Sequence, residues 1–294
     1  MVKRLGIIGI SPGNGHPYSW AAICNGYDSK EMANCPFPVI PVYLEEQHWP
    51  NAQLEDTRVT HIWTQDMESS VNISKTSFIP NICTELTDMI GAVDGVLLAR
   101  DDAERHLELS EPFLRAGLPI YIDKPFALST QQAKEMFDLQ KYPGQIFTCS
   151  SFRYSKELLL NMDEKRQLGE IQYIEAQTPK YWNTYAVHLL DPIIQNVPSR
   201  GALKNVTVQQ KKPVHKCNIK WESVHCSLTA YNKYQKSLMF TYFGDSGQIT
   251  KEFSQSFQPF KESIQQFVNS MTTKKNTIPQ DETMEIVEIL EKGL

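Results

Sequence analysis

Leu5-Gly6-Ile7-Ile8-Gly9-Ile10-Ser11-Pro12-Gly13-Asn14-Gly15-His16-Pro17 is the stretch on which the fold turns. Leu5 to Ile10 is a short apolar run of the kind a parallel strand needs when both its faces are buried. A glycine-rich turn follows from Ser11 to His16. Pro17 suits a first helical turn, and Tyr18 to Asn25 runs helically to a stop at Gly26. Strand, glycine turn and helix N-terminus in this order make a pyrophosphate site, because glycine lets the backbone approach and the helix end offers unpaired N–H groups. Gly9, Ser11, Gly13, Asn14, Gly15 and His16 are therefore candidate dinucleotide contacts. The loop departs from Gly-x-Gly-x-x-Gly, with Ser11 in place of the second glycine and Asn14 in place of the third. Taken alone, it reads equally as an ordinary strand–helix turn.

Outward from this point the first half alternates strands with helices. Residues 28–57 interrupt the pattern. They hold four prolines, a candidate strand at Val39–Tyr43 and no sustained helical period, and they read as an insertion. Val59–Thr64 is a β-branched and aromatic strand ending in Gln65-Asp66, and Gly95–Ala99 is another strand. A helix is expected over Asp102–Ala116, capped by Asp101 and stopped by Gly117. Pro119–Ile122 is the next strand, Ser129–Gln132 opens a helix to about Lys141, and Gln145–Ser151 is one more strand. Such alternation means a doubly wound parallel sheet over residues 1–150.

From 151 to 294 the texture changes. One helix, Lys156–Gln167, precedes strands at Ile171–Gln177, Leu203–Gln209, Val224–Tyr231, Ser237–Phe243 and Gln248–Phe253. Strands in succession without helices between them form a mostly antiparallel sheet, here an open one in an α+β domain. Phe260, Ile264, Phe267, Val268 and Met271 share one helical face, and a second helix covers Asp281–Lys292. The closing helices, 259–294, are expected to pack back on the body.

Composition bounds the function. The chain has 294 residues, 41% of them hydrophobic and 21% charged, which suits two globular domains. A net charge of −5 with no basic block gives no electrostatic reason to bind nucleic acid or anionic lipid. No apolar window is long enough to span a membrane. The six cysteines are too sparse for a disulfide scaffold, so a reduced, cytoplasmic protein is expected. His48, His61, His215 and His225 have no partner at metal-ligand spacing, so no metal is expected.

An acid at the end of the second strand accepts the ribose hydroxyls of adenosine in dinucleotide-binding sheets. Asp66 is the candidate, much farther from Gly9 than the usual ~20 residues unless 28–57 is an insertion. If the second strand is Val39–Tyr43, Glu45 takes that part. An acid after a strand also serves as a helix cap.

Tyr121-Ile122-Asp123-Lys124-Pro125-Phe126 is an apolar strand running straight into acid–Lys–Pro. It resembles the Glu-Lys-Pro motif of the Gfo/Idh/MocA oxidoreductases, with Asp for Glu. Ala99-Arg100-Asp101-Asp102 with His106 is similar to that family's preceding strand end and helix, and Ser151-Phe152-Arg153-Tyr154 to its segment after the sixth strand. The run from Phe260 through Ile278-Pro279 and Glu282-Thr283 to Gly293 resembles its closing helices. The resemblance implies a Rossmann domain and an α/β domain whose large sheet carries substrate and forms a homo-oligomer interface. It also implies hydride transfer between a nicotinamide and the carbinol of a sugar, cyclitol or sugar nucleotide, with Lys124 beside the substrate hydroxyl. Arg100, Asp101, Asp123 and Lys124 would then border the cofactor, and Arg153, Tyr154 and Trp182 the substrate.

The family's second signature is Asp-x-x-x-His on one helix face. The matching segment is Trp182-Asn183-Thr184-Tyr185-Ala186-Val187-His188, with Thr184 in place of the acid. Imidazole titrates near neutrality and suits the removal of a hydroxyl proton, so His188 is the candidate base. Tyr185 is a further catalytic and substrate-binding candidate, and either it or Asp191 could stand in for the missing acid. Lys124 and His188 are expected to converge on one hydroxyl. NAD is expected over NADP, because Asp66 would repel a 2′-phosphate and no Lys or Arg follows it before Lys75. The competing expectation is a catalytically inactive nucleotide-binding regulator on the same fold.

Overall fold

The computed structural model describes residues 2–294, which divide into two compact units. The first runs to Ala127 and is completed by Gln131–Thr148 and Ser256–Pro279. Its strands are β1 (Lys3–Gly9), β2 (Thr57–Thr64), β3 (Asn81–Ile82), β4 (Gly95–Leu98), β5 (Ile120–Ile122) and β6 (Ile146–Phe147). They pair in parallel in the order β3-β2-β1-β4-β5-β6. This is the doubly wound sheet expected from the strand–helix alternation. The order reverses between β1 and β4, where sheets of this kind open a crevice at their carboxyl ends. Ile8 lies opposite Leu98, and Leu98 opposite Ile122, so the segments after β1, β4 and β5 emerge side by side.

Six helices follow these strands: α1 (His16–Asn25), α2 (Ser29–Met32), α3 (Val39–Glu45), α4 (Met67–Thr76), α5 (His106–Ala116) and α6 (Thr130–Asp138). The candidate strand Val39–Tyr43 is in fact α3. Ile40 and Leu44, four residues apart, are buried while Val39 and Val42 face solvent, and Pro41 is tolerated in a first turn. The second strand is therefore β2, and Glu45 ends a helix. Asp101 does not cap the following helix, which enters through a 3₁₀ turn at Ala103–Arg105. Its carboxylate is drawn instead to Ser11 and Lys124.

The second unit holds Leu128–Thr130, Cys149–Gln255 and Gln280–Leu294. It contains α7 (Met162–Leu168), β7 (Ile171–Thr178), α8 (Trp182–Tyr185), α9 (Val187–Asn196), β8 (Leu203–Gln210), β9 (His215–Trp221), β10 (His225–Ala230), β11 (Met239–Gly244) and β12 (Gln248–Glu252). The sheet order is β12-β11-β7-β10-β9-β8, antiparallel except where β10 meets β7. Only half of the expected helix Lys156–Gln167 forms. The side-chain amide of Asn196 donates to Leu158 O (2.8 Å) and accepts from Leu160 N–H (2.9 Å), which stops the turn begun at Ser155 from continuing as a helix, and Asn161 with Glu164 then caps α7.

Two helices close the chain. α10 (Phe257–Thr273) belongs to the first unit and α11 (Gln280–Gly293) to the second. Phe267 of α10 is fully buried, with its ring 5.9 Å from Tyr121 and 6.0 Å from Phe147. One such burial contributes roughly 1.5–3 kcal/mol. In the second unit α9 and α11 supply Leu189, Leu190, Ile193, Ile289 and Leu290 to a core shared with Cys217, Ile219 and Trp221 of β9.

Candidate functional site

Three segments meet at the carboxyl edge of the parallel sheet. Lys124 follows β5, is buried, and its Nζ lies 3.5 Å from Asp101 Oδ2 at the end of β4. The other oxygen of Asp101 accepts from Ser11 Oγ at 2.6 Å. Asp123 accepts from the Lys124 N–H (2.8 Å) and from Asn14 Nδ2 (3.0 Å), and its Oδ2 lies 2.5 Å from His16 Nδ1. Burial alone would raise the Asp123 carboxyl, but the His16 and Lys124 charges outweigh it and pull the pKa down to about 2. Asn14 Oδ1 also accepts from the His16 N–H at 2.8 Å, so it satisfies the first N–H of α1 from outside the helix while it binds Asp123.

The glycine loop leaves space on one side. Gly13 has φ 82°, and a Cβ there would meet nothing within 4 Å, so space lies open over the turn. Gly9 serves packing instead, since a Cβ there would strike Pro17. The side chains of Ser11 and Asn14 are tied to acids on neighbouring strand ends, and both acids face a cationic partner. The α1 N-terminus adds its dipole.

At the end of β2, Asp66 is exposed and caps α4, accepting from Ser69 N–H (2.9 Å) and Ser69 Oγ (2.7 Å). The Ser69 hydroxyl and amide lower its pKa. Its neighbour Gln65 was not singled out from the sequence. Its side chain brackets Ile10, accepting from the N–H (3.1 Å) and donating to the carbonyl (2.6 Å), and it also accepts from Arg100 (2.7 Å). Arg100 is buried and pairs with Asp102 through Nε (2.8 Å) and Nη2 (2.5 Å). His106 lies between the carbonyls of Arg100 (2.9 Å) and Phe126 (3.0 Å), bracing β4's end against the Lys124 segment.

The remaining candidates belong to the second unit. His188 on α9 is buried, with Nδ1 2.7 Å from Ser150 Oγ and its ring stacked on Phe152 at 4.4 Å. Tyr185 meets it edge-on at 4.8 Å and accepts from Lys180 Nζ at 2.8 Å. Thr184 Oγ1 donates to the Tyr181 carbonyl at 3.4 Å. Asp191 is occupied internally, accepting from Ser150 N–H (2.6 Å) and Arg153 (2.7 Å), and Arg153 also pairs with Glu282. Burial works against the Arg153 charge, but Asp191 and Glu282 hold it more firmly protonated than usual. Trp182 donates its indole N–H to Leu290 O (3.1 Å) and stacks on His215, while Tyr154 ends the 3₁₀ turn Ser151–Tyr154. Arg153 and Trp182 thus have structural partners inside the unit.

Residues 40–150 match the model of an oxidoreductase family with an NAD-binding Rossmann fold, the Gfo/Idh/MocA family. The matched stretch includes the acid–Lys–Pro segment Asp123-Lys124-Pro125. No curated protein sequence matches the chain. Among solved structures it is similar to the myo-inositol dehydrogenase of Lactobacillus casei in complex with NAD(H) and myo-inositol. There the TM-score is 0.75 and the identity 11%, over 99% of this chain and 93% of that one. It is also similar to the myo-inositol 2-dehydrogenase of Lactobacillus plantarum (0.73, 14%, 99% and 96%). A third is the Synechocystis biliverdin reductase in complex with biliverdin and NADP+ (0.67, 14%, 98% and 96%). At such identities the likeness is one of fold, and it extends over almost the whole chain. No described helix is long and apolar enough to cross a membrane.

Proposed function

We propose that this protein is an NAD-dependent oxidoreductase that moves a hydride between the nicotinamide and a carbinol of a sugar, cyclitol or sugar nucleotide. The observation that carries this reading is Lys124, buried at the carboxyl end of β5 between Asp101 and Asp123 and beside an open glycine turn. Gly13 and the α1 N-terminus would hold the pyrophosphate, and Asp66 the adenosine ribose. A bound nicotinamide supplies the hydride acceptor.

The side chains of this chain supply the rest. Lys124 orients and polarises the substrate hydroxyl. In the tautomer whose Nδ1–H donates to Ser150 Oγ, His188 presents a lone pair at Nε2 and takes the hydroxyl proton there. Thr184 cannot ionise, so the imidazole acts without the family's carboxylate. A homo-oligomer through the open sheet of the second unit belongs to the same reading.

The test is a protein-fluorescence titration with NADH and NADPH, followed by a screen of cyclitols, aldoses and nucleotide sugars for a change in nicotinamide absorbance. NADH is expected to bind tighter than NADPH, and Asp66→Ala to weaken NADH and narrow that gap. NADPH binding tighter to the unmodified chain removes Asp66 from the ribose. Dinucleotide binding with no turnover across the screen favours the regulator.

A further inference from the structure

Ser11 and Asn14 are the two places where the loop departs from the dinucleotide template, and each is bonded to a different carboxylate flanking Lys124. Ser11 Oγ donates to Asp101 Oδ1 at 2.6 Å and lies 3.2 Å from the Asp101 N–H, so the hydroxyl both gives and receives. The second oxygen of Asp101 faces Lys124 Nζ at 3.5 Å. Asn14 Nδ2 donates to Asp123, whose other oxygen accepts the Lys124 N–H. Ser11 and Asn14 are both buried, at 3% and 4% exposure, so these bonds are shielded from competing water. A glycine at either position could make none of them.

We infer that Ser11 and Asn14 are positioning residues that bind the glycine loop to Lys124 through Asp101 and Asp123. The loop and the lysine then form one clasp, Ser11–Asp101–Lys124–Asp123–Asn14, in which Asp101 pairs with the ammonium and Asp123 accepts from the Lys124 N–H. Asp101 is held at both oxygens, which fixes where the ammonium sits. Glycine would also restore backbone freedom to a turn that must be ordered before it can receive an anion. Reversion to the template is accordingly harmful. A loop that is merely an imperfect cradle makes the opposite prediction, namely that Ser11→Gly improves the fit to a dinucleotide.

What the clasp serves rests on the oxidoreductase reading, but its existence is measurable without turnover. Trace acetylation of the full-length protein with acetic anhydride, read at Lys124 by peptide mass spectrometry, reports how firmly the amine is held. A lysine against a carboxylate acylates slowly because its protonated form is favoured. Ser11→Gly and Asp101→Asn are expected to raise the Lys124 rate by roughly tenfold, the scale of one hydrogen bond to a charged group. Ser11→Thr keeps a hydroxyl and is expected to restore the parent rate. NADH affinity, by fluorescence, is expected to fall several-fold in Ser11→Gly and to hold in Ser11→Thr.

An unchanged Lys124 rate in Ser11→Gly, or a gain in its NADH affinity, overturns the clasp. Should Ser11→Gly fail to fold, an unchanged rate in Asp101→Asn overturns it equally. Acetylation that responds as expected in a parent chain binding neither NADH nor NADPH keeps the clasp and removes the oxidoreductase reading instead.

Discussion

Lys124 lies against the carboxylates of Asp101 and Asp123, whereas the His188 ring meets the Ser150 hydroxyl and the aromatic face of Phe152. Around the lysine, Asp101 and Asp123 share their oxygens with loop side chains that fold back onto them. Around the histidine, Ser150 Oγ meets Nδ1 and Phe152 stacks on the ring. Charge lies close by in Arg153, Asp191 and Glu282, where one guanidinium engages both carboxylates. The difference separates two tasks. On the proposed reading, an ammonium that anchors the substrate lies against counter-charge, and an imidazole that exchanges a proton is oriented by a hydroxyl and an aromatic ring.

The comparison breaks first at His188. His188→Ala is expected to cost about 10²–10⁴ in kcat with the NADH dissociation constant unchanged, the range for loss of a general acid–base residue. Lys124→Ala, by contrast, is expected to raise KM as well as lower kcat, since an ammonium that anchors a hydroxyl acts in ground and transition states. Steady-state kinetics on the substrate found in the screen reads both. If the two variants show the same split between kcat and KM, the division of tasks is wrong.

Next in size is the cluster of Arg153, Asp191 and Glu282. Arg153→Met leaves Asp191 and Glu282 facing each other without their cation, and breaking such a buried pair costs about 3–5 kcal/mol. Urea denaturation followed by tryptophan fluorescence should register that loss. A change within 1 kcal/mol would mean that Asp191 is already neutral in the folded protein.

A smaller effect sharpens the charged side of the comparison. The Asp123 pKa is depressed from an unfolded value near 3.9 to about 2, so its contribution to stability is complete above the unfolded value and disappears as pH falls through about 2. Asp123→Asn is expected to be less stable at neutral pH and to lose less of its remaining stability between pH 4 and pH 2 than the parent. Melting temperatures across that window decide it, and parallel acid limbs would contradict the ion pair with His16. The smallest effect is expected at Thr184→Ala. Its hydroxyl serves only the local Tyr181 carbonyl at a half-buried position, so stability should move by no more than about 0.5 kcal/mol and kcat by less than twofold.

These two environments differed in how openly the sequence announced them. The parallel sheet was legible because buried parallel strands run apolar, as in Leu5–Gly9 of β1 and in β4, and because Gly26 and Gly117 mark helix ends. Lys124 could be found because its motif is contiguous. Its clasp could not, because Ser11 meets Asp101 and Asn14 meets Asp123 only once three strands align. Gln65 escaped for the same reason. In the second unit, Asn196 reaches back across the chain to hold Leu158 and Leu160, and such a tertiary bond overrides a local helical period. β9 carries a plain alternation of buried His215, Cys217, Ile219 and Trp221 with exposed Lys216, Asn218 and Lys220. Its signal was present, and the flanking lysines and Pro213 masked it.

The placement of α10 sets a timetable for biosynthesis. The nucleotide-type sheet is encoded by the first half of the chain, yet Phe267 and Met271, which cover Tyr121, Phe147 and Gly95, leave the ribosome only after every strand of the second sheet. Domains ordinarily fold in sequence during synthesis at about 5–20 residues per second. Here the first unit to emerge is the one that must wait, with an aromatic seam open to solvent and to chaperones until α10 arrives.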